Sequence, residues 1–139
     1  HPSTLSSVNN LATVLRYQGK YHESEAMHRR ALEGCVNIVG PDHRSTLTSV
    51  HNLAIMLRYQ GNYDESETMH RRALEGREKI LGPDHPDTLT SVDNLAILLQ
   101  QQGKYDESEM INRRALEGYE RILGPDHPDT LTSVNNLAT

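Results

Sequence analysis

One spacing governs this chain. Leu11, Leu53, Leu95 and Leu137 stand 42 apart, as do Gly19, Gly61 and Gly103. With residues 1–42, 43–84 and 85–126 superposed, 25 of the 42 columns hold one residue in all three copies, and a fourth copy runs from His127 to Thr139. Such a chain is a tandem array, in which each unit buries its apolar face against its neighbours. What one unit forms therefore decides the fold. Residues 1–42, 43–84 and 85–126 are expected to be repeats one to three of a single array, and 127–139 the first helix of a fourth repeat.

Each unit reads as two helices. The first is expected to start at Ser3, Ser45, Asp87 or Asp129, whose side-chain oxygens can accept from the free N–H groups of a helix start. It should stop at Gly19, Gly61 or Gly103, where the backbone can turn left-handed cheaply. The second helix opens near YHESE or YDESE and stops at Gly40, Gly82 or Gly124, each followed by proline. On it, Glu25 and Arg29, Glu67 and Arg71, and Glu109 and Arg113 have the i,i+4 spacing and orientation that favour ion pairs, so the repeated RR pairs read as a solvated face. A period of six heptads could suit a coiled coil, but Gly and Gly-Pro break the helical pattern twice in every unit. Two helices per unit, short turns and no strand signal mean an all-α helical solenoid. LGPDHPDTLTSV, at 81–92 and again at 123–134, is the joint between units, and its His reads as turn structure.

The residues that repeat resemble the tetratricopeptide pattern. Val8, Leu11, Ala12, Leu15, Ser24, His28 and Ala31, with their equivalents one and two periods further on, fall at its signature positions, although Ser stands for the second-helix Ala and His or Asn for the Phe. Units of this length carrying NNLA, QGKYDE, RRALE and LGPDHP are similar to those of kinesin light chains, and to the C-terminal arrays of NLR-like signalling ATPases in fungi and bacteria. The resemblance implies a right-handed solenoid of antiparallel helix pairs, here three full repeats plus one extra first helix. It also implies a cytoplasmic, non-enzymatic module that binds protein or peptide and needs no cofactor; a structural scaffold, oligomerisation spacer or cargo adaptor is the alternative.

At 100° per residue, Leu5, Val8, Leu11, Ala12 and Leu15 share the core side of the first helix. The opposite side varies between copies: Ser6, Thr48, Thr90; Asn9, His51, Asp93; Thr13, Ile55, Ile97; Arg16, Arg58, Gln100; Tyr17, Tyr59, Gln101. The resemblance turns this side into a concave groove. At its margin Asn10, Asn52, Asn94 and Asn136 are identical in every copy, and each amide can pair with the C=O and N–H of a peptide. With helices roughly 8–10 Å apart and an extended chain rising about 3.3 Å per residue, one rung would meet about every third ligand residue. The alternative is that each Asn bonds to its own surroundings. The candidate binding residues are Asn9, Asn10, Arg16, Tyr17, His51, Asn52, Arg58, Tyr59, Asp93, Asn94, Gln101, Asn135 and Asn136. Arg16, Tyr17, Arg58 and Tyr59 make one end of the groove cationic and aromatic, which fits an acidic, extended ligand.

Composition excludes other classes. A formal charge of −5 is the wrong sign for a chain that grips nucleic-acid backbones. No stretch approaches the ~18 apolar residues of a membrane span. The single cysteine, Cys35, rules out an internal disulfide framework and suits a reducing compartment. No HExxH, P-loop or GxSxG motif appears, and no metal-ligand set. The sequence reads as a piece of a longer array. Its last helix would expose Leu131, Val134, Leu137 and Ala138, so end-to-end self-association through the termini is expected.

Overall fold

The computed structural model describes residues 2–124, apart from the side chains of residues 2–7, 9 and 123. The expected helix of a fourth unit, the apolar surface assigned to it, and Asn135 and Asn136 lie outside the described residues, as does the side chain of Asn9.

Six helices account for almost all of the described chain: α1 Pro2–Tyr17, α2 Tyr21–Val39, α3 Arg44–Tyr59, α4 Tyr63–Leu81, α5 Pro86–Gln101 and α6 Tyr105–Leu123. They alternate between 16 and 19 residues, and like helices start one period apart, as the repeat requires. There is no strand among the described residues. Each first helix ends as its glycine dictates. Gly61 sits at φ +81°, which lets its N–H reach the Arg58 carbonyl at 2.9 Å and the next N–H, of Asn62, reach back to Leu57 O at 2.9 Å. This paired closure satisfies carbonyls that the helix end would leave open.

The joints hold a correction. The sequence assigns the caps of α3 and α5 to the oxygens of Ser45 and Asp87. The caps are instead His43 and His85, whose Nδ1 atoms accept from the backbone N–H of Ser45 and Asp87 at 3.0 Å. The histidine backbone is extended (ψ 150° and 141°), which aims the imidazole back at the first turn. Thr46 and Thr88 then lock the turn by donating to the carbonyls of Gly40 and Gly82, at 2.6 and 2.8 Å. The repeated phrase is thus a stop, a histidine cap and a threonine latch.

The described residues fall into two compact units, one running to Ala73 and the other starting at Leu74. In the first, α1 packs on α2 and α2 on α3. Antiparallel pairing is fixed by Ser24, early in α2, whose hydroxyl donates to the Ala12 carbonyl near the end of α1 at 2.6 Å. Ser66 does the same to Ala54 at 2.6 Å, and in the second unit Ser108 to Ala96 at 2.7 Å. Serine at the position where the family pattern carries alanine therefore adds one buried hydrogen bond per helix pair.

The core is aliphatic, as expected. In the first unit Val50, Leu53 and Leu57 of α3 are fully buried; in the second, Leu89, Val92, Leu95 and Leu99 of α5 close over Leu74 and Ala115. One core position departs. Leu11 is 47% exposed, while Leu53 and Leu95, its equivalents, are 0%. The helix that carries Leu53, α3, packs on α2.

Candidate functional site

The first helices of the first unit carry the features that stand apart from packing. Near the C-terminal end of α1, the guanidinium carbon of Arg16 lies 4.9 Å from the ring centroid of Tyr17 and 4.8 Å from that of Tyr59 on α3. Arg58 stacks on the same Tyr59 ring at 5.2 Å. Guanidinium groups favour the negative face of an aromatic ring. The stack joins the ends of α1 and α3 and leaves both phenols open, with Tyr17 80% and Tyr59 52% exposed. Among the described residues neither Arg16 nor Arg58 forms an ion pair, and Arg58 Nε is shielded from solvent without a hydrogen-bond partner.

Five arginines of the second helices differ. Arg29 pairs with Glu25 at 2.8 Å and with Glu65 at 2.9 Å, Arg71 with Glu67 at 2.9 Å and Arg113 with Glu109 at 2.8 Å. Arg114 and Arg121 reach Glu78 and Asp84 at 2.9 and 2.7 Å. The i,i+4 pairs are those expected from the sequence. The Arg29 hydrogen bond also holds the Glu25 carboxyl below the usual carboxylate range.

Beside the stack lies a cleft of about 610 Å³, lined by Gly19, Tyr21, His22, Glu25, Tyr59, Gln60 and Asn62. It is bounded by the turn after α1, the start of α2 and the end of α3. Gln60 crosses it by donating to the Tyr21 carbonyl at 3.2 Å. Of these residues only Tyr59 is among those expected from sequence. The others sit in QGKY-type turns, which read as punctuation until two turns meet in space.

The remaining expected residues divide. Asn10 is exposed and Asn52 half-buried. Asn94 is half-buried and donates from Nδ2 to the Thr90 carbonyl of its own helix at 2.9 Å. Gln101 is exposed. His51 does not lie on an open face: it is 8% exposed, and its ring meets His70 of α4 edge-on at 5.6 Å. Asp93 accepts from the Tyr119 hydroxyl at 3.0 Å, so its carboxylate is engaged within the second unit. At 51 and 93 the variable column thus follows packing against the second helix.

The column at 28, 70 and 112, where the family pattern places phenylalanine, holds buried His28, His70 and Asn112. Burial, helped by the positive charge of Arg16, pushes His28 down to about 4. Cys35 is buried as well, with Sγ 3.4 Å from Ser49 Oγ. No group of three or more metal-ligating side chains is found among the described residues.

The sequence model of the tetratricopeptide repeat matches residues 3–78, 46–120 and 91–139, three overlapping stretches that span almost the whole chain. The chain belongs to the tetratricopeptide repeat family. The family's fold is the all-α solenoid of helix pairs expected above, and its members are in general protein-interaction modules. No curated protein matches this tetratricopeptide chain. Among solved structures it is similar to the nearly identical TPR-like repeats assigned to a kinesin light chain of Podosopora anserina (26% identity, TM-score 0.91), covering 99% of this chain and 65% of that one. It also resembles BtubC of P. vanneervenii (19% identity, TM-score 0.87), covering 96% and 53%, and a TPR-like protein of Chlorobium tepidum (18% identity, TM-score 0.69), covering 96% and 92%. The latter two show the fold alone. Among the described residues no helix is long and apolar enough to cross a membrane.

Proposed function

We propose that this tetratricopeptide array binds an acidic, extended peptide segment of a partner protein along its first helices. The observation that carries the reading is the convergence of two arginines from two helices on one tyrosine ring. Arg16 and Arg58 stack on tyrosine rings and pair with no carboxylate among the described residues. Two stacked guanidinium groups with donors to spare await an oxyanion from elsewhere. Asn10 and Asn52 on the same two helices would supply amides to the peptide backbone, with Tyr17 and Tyr59 as anchors. An affinity of about micromolar or weaker fits a ligand held mainly by exposed polar contacts.

Residues 1–42, 43–84 and 85–126 serve as the structural units, a division supported by the regular recurrence of helix starts. Placement of the array as the partner-binding end of an NLR-like signalling protein rests on the sequence motifs alone. A cytoplasmic setting rests on Cys35, a buried free thiol. The rival reading, a spacer or adaptor whose job is geometry, draws on the likeness to the kinesin-light-chain repeats. Replacing Asn52 by Ala and Arg58 by Gln together should abolish binding to a ligand selected from a peptide library. Retained affinity rejects the groove and leaves the spacer.

A further inference from the structure

Resting on that reading, we propose that the Arg16–Tyr59–Arg58 stack is a subsite for one dianionic phosphoryl group on the bound peptide, with the adjoining cleft taking the residues beside it. Both guanidinium carbons lie about one ring-contact from a single phenol, 4.8 and 5.2 Å from its centroid, so they are separated by no more than the sum of those distances. Two like charges so placed repel, and no carboxylate among the described residues pairs with either. A carboxylate would neutralise only one of them. A phosphate monoester carries a charge near −2 and three acceptor oxygens, so one such group can offset both charges.

The surroundings agree. Tyr59 is at once the ring under both arginines and part of the cleft wall. The one acid in that wall, Glu25, is already bonded to Arg29 and opposes the anion least. The cleft volume of about 610 Å³ suits a side chain with flanking backbone. The subsite is confined to the first unit, because α5 carries Gln100 and Gln101 at the equivalent positions.

The test titrates the chain with two capped tripeptides, Gly-phosphoserine-Gly and Gly-Glu-Gly, at constant ionic strength. The readout is the Nε–Hε resonances of Arg16 and Arg58. A saturable shift is expected, with the phosphopeptide binding at least about ten-fold tighter than the glutamate peptide. Arg58→Gln and Tyr59→Gln, which place in α3 the residues α5 already carries, should each remove that preference; Arg58→Lys, which keeps charge without the guanidinium, should remove most of it. Equal affinity for the two peptides overturns the phosphoryl subsite but leaves the acidic-peptide groove standing, since that is judged by the Asn52 and Arg58 double variant on a library ligand. Shifts that survive all three substitutions overturn it as unspecific surface association. So does a response only to phosphatidylcholine vesicles doped with a phosphatidylinositol phosphate.

Discussion

At the scale of single residues, this chain places hydrogen-bonding side chains where its family pattern places apolar ones. Ser24, Ser66 and Ser108 each gain a buried hydrogen bond to the preceding helix, a contribution of about 1 kcal/mol apiece. His28 is the costly case. Its folded pKa of about 4 lies below the ordinary histidine value of 6.5, so the folded chain resists a proton that the unfolded chain accepts. Stability is therefore unaffected above about pH 6.5 and is lost as pH falls from there towards 4. Between pH 7 and pH 5 the loss from this residue is about 2 kcal/mol. Asn112 shows the replacement the fold accepts at this column. His28→Asn should flatten the pH dependence of the first unit's unfolding midpoint relative to the parent chain. Denaturant melts at the two pH values check this, and parallel curves for both proteins would refute it. The residue scale is also where sequence reading fell short: His51 and Asp93 looked free because their column varies, yet each varies to suit the second-helix side chain it meets, His70 or Tyr119.

At the scale of helices and turns, boundaries follow from a few local devices. Gly61 sits at φ +81° with open space where a Cβ would go, so alanine there meets backbone strain alone. Gly61→Ala should cost about 1–2 kcal/mol without loss of helix content. Thermal unfolding with circular dichroism reads both, and an unchanged midpoint would show that the turn can relax. The stops were legible because only glycine takes this conformation cheaply. The starts were less so. Serine and aspartate are the usual cap residues, but histidine in an extended backbone reaches the same N–H, and nothing in the string of letters reports ψ.

For the whole molecule, the repeat period is the quantity to test. Removing residues 43–84 brings His85 into the column of His43 and keeps every joint intact. That deletion should give a folded chain with a smaller denaturant m-value, because less surface is exposed on unfolding. Removing only 43–76, a cut matching the usual tetratricopeptide length of about 34 residues, breaks the register and should give a poorly folded product. Equal behaviour of the two deletions would remove 43–84 as the structural unit. The binding and spacer readings also part at this scale: a spacer fails when a repeat is deleted and tolerates Asn52 and Arg58 changes, while a groove fails with either.

What the sequence determined by itself was periodic. Helix pairs, their stops, the aliphatic core and the i,i+4 ion pairs all come from contacts within a few residues or from a stripe repeated at helical spacing, and both are written along the chain. What only the tertiary structure decided was which residues from different turns meet. The stacking of Arg16 and Arg58 on one tyrosine, the cleft between two turns, and the burial of His51 against His70 depend on distances across helices. Those distances are set by packing, and packing is the sum of many side-chain shapes that no local pattern records.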